Sequence, residues 1–306
     1  MVYSGVRLEH SNFTPYNQTA MEVRNIMSHK NSVIESIKKR YSCRTFDPKP
    51  LEEQLVKKLN DFIVTINAKT KIKARFICIS NNEGDGTPVK LGTYGMISGA
   101  TNYIVGICEK DEKNYVDFGY LFEEIVLHAT GIDLQTCWLG GTFNRDEFTQ
   151  KCNLKENEYI AIVSPFGMKK KTPRLFESAV RVLVGANNRK PFSELFFEND
   201  LSTPLNESSI VEYITPLEMV RLSPSASNKQ PCRIIKTKDG YNFYLKRTKN
   251  YPTGLFDMQK NDIGIAMCHF ELTSKELSLI GHWGNINSAN EIKDLEYITT
   301  WVEDLK

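Results

Sequence analysis

DFGYLFEEIVLHATGIDLQTCW, residues 117–138, and DIGIAMCHFELTSKELSLIGHW, residues 262–283, align without a gap at an offset of 145 residues. The identities are Asp117 with Asp262, Gly119 with Gly264, Leu127 with Leu272, Leu134 with Leu279 and Trp138 with Trp283. In each copy an Asp-x-Gly opens a helical pattern and a Trp follows the Asp by 21 residues. This period is far too long for a solenoid, whose repeats run to about 50 residues. It points to an ancient duplication, with two similar halves around a pseudo-two-fold axis, the single-chain version of a symmetric dimer.

Working outward, the 306 residues leave room for two domains. A hydrophobic share of 41% and a charged share of 25% are those of a globular chain that can bury a core. The longest apolar runs, such as Tyr159–Val163, fall well short of a bilayer span. The N-terminal MVYSGVRLEHSNF lacks an apolar core, so no signal peptide is expected. Net charge is +2, from 39 basic and 37 acidic residues, which argues against a dedicated nucleic-acid binder. The seven cysteines form no C-x-x-C pair, so no metal site is expected and the scattered thiols suit a reducing cytoplasm.

Residues 1–31 read as an N-terminal arm with a short helix near Met21–Met27. Ser32 and Glu35 have capping-box spacing, and Val33, Ile34 and Ile37 follow on one helical face. Pro48 and Pro50 close the next stretch, and Leu51, Leu55, Leu59 and Phe62 mark a second amphipathic helix. Strands are predicted at Phe76–Ile79, Tyr103–Ile107 and Tyr159–Val163, the last ending at Pro165 and Gly167, with a helix over 117–130 between the second and third. Between residues 169 and 190 seven basic residues face a single acid, as on a solvated surface. Phe197–Ser209 resembles a linker, Leu217–Leu222 the end of a helix, and CRIIKTKDGYNFYL a hairpin turning at Asp239-Gly240. A long helix carries GIAMCHFEL. The mixture makes the fold α+β.

Three segments could carry chemistry. In Arg40-Tyr41-Ser42-Cys43-Arg44 an extended chain puts Arg40, Ser42 and Arg44 on one face, either as a phosphate cradle or as a solvated basic helix end. In LQTCWLGGTF, residues 134–143, Gly140 and Gly141 let backbone N–H groups approach an acceptor nitrogen or a developing anion, unless they merely turn the chain. In SPSASNKQP, residues 223–231, two prolines pin a loop in which Ser225, Ser227, Asn228 and Gln230 offer donors and acceptors; it also reads as a polar surface turn. His128 sits on an apolar helical face, as a packed core histidine would, and His269 and His282 have no partner acids at metal or triad spacing. Neither G-x-G-x-x-G after a strand nor a P-loop signature occurs.

Taken together, R-x-S-x-R, T-C-W-L-G-G and S-P-S-x-x-N-x-Q-P resemble the FMN-dependent nitroreductase family over about residues 30–300, supported by the stretch Asn187–Pro191 and by Asp262-Ile-Gly-Ile-Ala. Each motif occurs once, split across the halves, as in the single-chain pseudo-dimer subgroup of the Thermotoga type. The resemblance implies a nitroreductase-like fold: two duplicated halves, each a mostly antiparallel or mixed sheet flanked by helices, packed as an intramolecular pseudo-dimer. The expected divisions are an arm at 1–31 and interlocked halves at 32–200 and 201–306. By resemblance Arg40, Ser42, Arg44 and Arg189 hold the FMN phosphate, and Leu139, Gly140 and Gly141 face the flavin N5 region. Ser225, Asn228 and Gln230 contact the ring and ribityl chain, and Thr93 or Tyr94 is a further candidate. Cys232 stands where the family usually has Trp. The implied activity is ping-pong hydride transfer from NADH or NADPH through flavin N5 to a nitroaromatic, quinone or similar small acceptor, with no catalytic side chain. A degenerate FMN-binding sensor or carrier is the alternative. The expected protein is a cytoplasmic monomer acting as a pseudo-dimer, with no nucleic-acid or membrane partner.

Overall fold

The two copies of the repeat form long helices in the second and fourth quarters of the chain, and these pack against each other at the centre of the fold. The computed structural model describes residues 32–81, 92–172, 185, 188–252, 254–286 and 291–304, so the helix expected at 21–27 and most of the basic run at 169–190 lie outside the described residues. In order come α1 (Val33–Lys39), α2 (Glu53–Lys69), β1 (Ala74–Ser80), β2 (Asn102–Glu109), α3 (Tyr115–Gly131), β3 (Gln135–Thr136), α4 (Arg145–Cys152) and β4 (Glu158–Gly167). They are followed by β5 (Phe196–Glu198), α5 (Ile214–Leu222), β6 (Cys232–Thr237), β7 (Gly240–Leu245), α6 (Met258–Glu276), β8 (Gly281–Gly284) and β9 (Glu296–Glu303).

Helix α3 is buried on every side from Tyr115 to Thr130, and α6 is buried continuously from Asn261 to Ser274. A helix without a wet face belongs in the middle of a protein. The repeated glycines explain how two such helices meet. A Cβ on Gly119 would lie 2.1 Å from the Asn261 carbonyl oxygen, and one on Gly264 would lie 1.8 Å from the Val116 carbonyl oxygen. Val116 and Asn261 are themselves separated by the repeat offset. Residue i of one half thus meets residue j of the other and j meets i, the signature of an isologous two-fold contact.

The sheets repeat the same symmetry. The first has order β1-β2-β4-β3 and the second contains β6-β7-β9-β8, all these pairs being antiparallel. Each second strand carries an irregularity in its register, at Gly106/Ile107 in β2 and at Phe243/Tyr244 in β7. Strand β5 breaks the symmetry. It follows the four strands of the first sheet yet pairs in parallel with β6, Phe196 opposite Ile234, so the second sheet has five strands. The stretch expected as a linker therefore begins as a structural strand, because Phe196 is apolar enough to be fully buried.

One hydrophobic cluster runs through both halves, from Ile37, Phe118 and Phe122 to Phe270, Trp283 and Trp301. A second lies on the other face of the first sheet, where Tyr103, Val105 and Ile107 alternate along β2 with the core-facing Ile104 and Cys108. The sequence boundaries shift in explicable ways. β4 continues through Pro165 to Gly167; its neighbour β3 ends at Thr136, and the Cys137 N–H donates to Ser164 Oγ at 3.2 Å. The hairpin turns on Lys238-Asp239, since Thr237 already pairs with Gly240. Ser32 does cap α1, accepting from the Glu35 N–H at 3.2 Å. The reciprocal acid is Glu276 at the end of α6, which accepts from the Ser32 hydroxyl and the Val33 and Ile34 N–H groups. His128 is a packed core residue, stacked on Phe62 at a centroid distance of 4.0 Å.

Candidate functional site

Leaving α1 at Arg40 the chain becomes extended, and Ser42 forms a parallel bridge with Thr136 while the Cys43 N–H donates to the Thr136 carbonyl at 2.9 Å. Cys43 points into the core, which turns Ser42 and Arg44 to the opposite face. The same strand is flanked on its other edge by the loop at 93–99: the Ser98 N–H donates to the Arg44 carbonyl at 2.9 Å and the Phe46 N–H to the Ser98 carbonyl at 2.8 Å. In that loop Thr93 is buried and its Oγ1 accepts from the Ile97 N–H, whereas Tyr94 is exposed with φ +47°.

Beyond β3 comes the double-glycine turn. Leu139 pairs with Val163 through two backbone hydrogen bonds of 2.8 and 3.0 Å. Gly140 lies against the Met258 side chain at the start of α6: a Cβ there would meet Met258 Cε at 2.5 Å. Gly141 faces open space. One turn after Met258, on the same helix face, the buried Asp262 accepts the Ala226 N–H at 3.0 Å on both carboxylate oxygens. The first residues of α6 therefore tie the glycine turn of one half to the S-P-S-A-S-N loop of the other. Burial pushes the Asp262 carboxyl well above its ordinary range.

That loop folds tightly, with Ser227, Asn228 and Gln230 at φ +50°, +54° and +51°. The Gln230 N–H donates to Ser225 Oγ at 2.8 Å, and the loop closes over the arm at 188–190. Asn228 Nδ2 donates to the Gly185 and Asn188 carbonyls at 2.7 and 2.9 Å, and Gln230 Oε1 accepts the Lys190 N–H at 2.8 Å. Arg189 is gripped in the same way, donating from Nη1 to Asn228 Oδ1 at 2.6 Å and from Nη2 to the Leu222 carbonyl at 3.2 Å. The amides of the loop thus hold the arginine-bearing arm.

The electrostatics of the place are those of an anion site. Burial first, then the charges of Arg40 and Arg221, bring Arg189 down to about 10. Arg40 is itself buried, its Nε 3.9 Å from Glu123 Oε1. Arg44 Nε is buried with no hydrogen-bond partner among the described residues. Several guanidiniums in one partly dry region repel one another, and an entering phosphate relieves that repulsion while satisfying the open donor. The residues present fit a phosphate-bearing cofactor on this ground. Cys232 opens β6, buried, with its thiol pushed up to about 12 by burial; such a thiol is inert wall rather than nucleophile.

The sequence missed a group that the fold assembles beneath Arg40. Glu123 of α3 and His269 of α6 are both fully buried, with His269 Nε2 2.9 Å from Glu123 Oε1 and Nδ1 2.9 Å from the Met219 carbonyl oxygen. Trp138 Nε1 donates to Glu123 Oε2 at 2.8 Å. His269 does have a partner acid, but one 146 residues away, which no local spacing reveals. His282 likewise meets Asp304, at 2.8 Å.

Set against known proteins, residues 32–274 match the family described as "Putative TM nitroreductase". The chain belongs to that nitroreductase family. A nitroreductase structure from Thermotoga maritima is 20% identical, with a TM-score of 0.54, over 90% of this chain and 95% of that one. A nitroreductase family protein from Clostridium difficile is 22% identical over 53% of this chain and 94% of its own, with a TM-score of 0.38. An FMN-dependent nitroreductase from the same species is 16% identical over 46% of this chain and 90% of its own, with a TM-score of 0.34. No curated protein matches the chain. The nitroreductase-like fold and its internal duplication agree with the long match to the Thermotoga structure. No helix among the described residues is long and apolar enough to cross a membrane.

Proposed function

We propose that this nitroreductase-family chain is an FMN-dependent oxidoreductase carrying one FMN between its halves. The observations that carry the proposal are the part-buried Arg189, acted on by the charges of Arg40 and Arg221, and the buried Arg44 Nε that has no hydrogen-bond partner among the described residues. Arg40, Ser42, Arg44 and Arg189 would hold the phosphate, and Ser225, Asn228 and Gln230 would fix the arm and the edge of the pocket. Leu139, Gly140 and Gly141 would present backbone to the ring. When bound, FMN supplies a hydride acceptor and donor at N5, and the protein supplies binding, orientation and electrostatics. NADH or NADPH is the proposed donor, and a nitroaromatic, quinone or similar small molecule the acceptor, each using the site in turn. Further proposals are a cytoplasmic monomer with halves at 32–200 and 201–306, an arm at 1–31, and neither nucleic acid nor membrane as partner.

Purified protein is expected to be yellow, with about one FMN per chain, and to bleach on addition of NADH or NADPH. Arg189→Ala should weaken FMN binding by the roughly 1.5–3 kcal/mol of a charge-assisted hydrogen bond, read by fluorescence titration. A colourless chain that takes up no added FMN would overturn the proposal. A yellow chain that neither nucleotide bleaches would support a sensor or carrier instead.

A further inference from the structure

The peptide between Gly140 and Gly141 has an unusual guardian. The Gly140 carbonyl accepts a hydrogen bond from Arg145 Nη2 at 3.0 Å. Arg145 opens α4, just after the N-cap Asn144, and its guanidinium lies 4.7 Å from the centroid of the Phe143 ring. Its Nε leans on the Ile160 carbonyl at 3.4 Å. It is exposed and makes no ion pair among the described residues, so no carboxylate competes with the Gly140 carbonyl for its guanidinium.

A trans peptide is planar, and its C=O and N–H point in opposite directions. Holding the Gly140 carbonyl therefore fixes the direction of the Gly141 N–H. The hold matters because neither residue has a Cβ to resist rotation of the peptide. Met258 and Ile162 back the turn at Gly140, and open space lies beside Gly141. A cation on the carbonyl also polarises the peptide and makes its N–H a stronger donor.

We propose that Arg145 is a positioning residue that locks the Gly140–Gly141 peptide with its N–H turned to the open side, as a donor to the ring nitrogen of oxidised FMN. The inference rests on the flavin assignment above. An acceptor nitrogen exists there only in the oxidised ring, since reduction places a hydrogen on N5. The donor therefore favours oxidised over reduced FMN.

The test uses R145M and R145K in the full chain. R145M should bind oxidised FMN about tenfold more weakly and reduced FMN as tightly as before. The midpoint potential of bound FMN then rises by about 30 mV, the two-electron equivalent of a tenfold change. R145K, whose ammonium still reaches a carbonyl, should recover most of the shift. In protein labelled with carbon-13 at glycine carbonyls, the Gly140 signal should move in R145M even without FMN. An R145M potential equal to that of the parent overturns the proposal, because simple loosening weakens both redox forms alike; so does an unmoved Gly140 carbonyl. Failure of the flavin assignment looks different: the parent protein itself takes up no FMN.

Discussion

Asp117 and Asp262 stand at equivalent places in the two central helices, yet they hold different things. Asp117 stays at the start of its own helix, accepting from the N-cap residue Asn114 through Nδ2 at 2.6 Å. Asp262 reaches out to the Ala226 N–H and so anchors the loop that grips Arg189. The helices, the sheet order and the glycine crossing repeat almost unchanged between the halves. What differs is the loop before β1 and before its counterpart β6, where the second half has SPSASNKQP and the first has Thr70-Lys71-Ile72-Lys73. Symmetry is kept where backbones touch and given up where a ligand needs only one copy of each part.

The strongest way to break this comparison is at the crossing. Gly119→Ala and Gly264→Ala each drive a methyl into a carbonyl of the opposite helix, and backbone cannot step aside as a flexible side chain can. Each should cost about 4 kcal/mol or more in urea unfolding, and the two costs should be similar. A harmless alanine at either position would undo the reciprocal contact.

The acids come next. Burial raises Asp117 from its ordinary 3.8 to about 7. In the unfolded chain the group ionises near 3.8, so its contribution is fully present below that pH and is lost as pH rises towards 7. At about 1.4 kcal/mol per unit the loss is bounded near 4 kcal/mol, with about 2 expected once the site relaxes. Asp117→Asn should therefore stabilise the protein at pH 8 and do nothing at pH 3, as read by thermal unfolding across that range. The smallest effect separates the two acids by function. Asp262→Ala should raise the Kd for FMN about tenfold, the loss of one anchoring hydrogen bond, whereas Asp117→Ala should leave it unchanged. Equal effects would mean that the two halves still share the binding work.

How much of this was legible in the chain depended on the range of the contact. The duplication was visible because Asp-x-Gly and Trp recur in register, but that the glycines mark a helix crossing was not, because the carbonyls they meet lie 142 and 148 residues away. The S-x-x-N-x-Q loop was visible as a motif, but its use of Asn228 and Gln230 to clamp residues 188–190 was not, because the partners are backbone atoms that any sequence provides. Strand β5 was hidden because three residues in a polar stretch take their pairing from β6, which follows later in the chain. The Glu123–His269 pair was hidden by its separation of 146 residues, and Arg145 because it acts on a carbonyl.

The all-buried α3 has a consequence for the order of synthesis. Its cover is α6, and the chain emerges from its N-terminal end. At roughly 5–20 residues per second, the interval between completing Gly131 and completing Glu276 is roughly 7–30 seconds. Throughout it the nascent first half shows water a face of α3 that the finished protein never exposes. Strand β5 is likewise made before β6, the strand it will pair with. A two-chain relative would face that exposure as a matter of concentration; in this chain it is a matter of time.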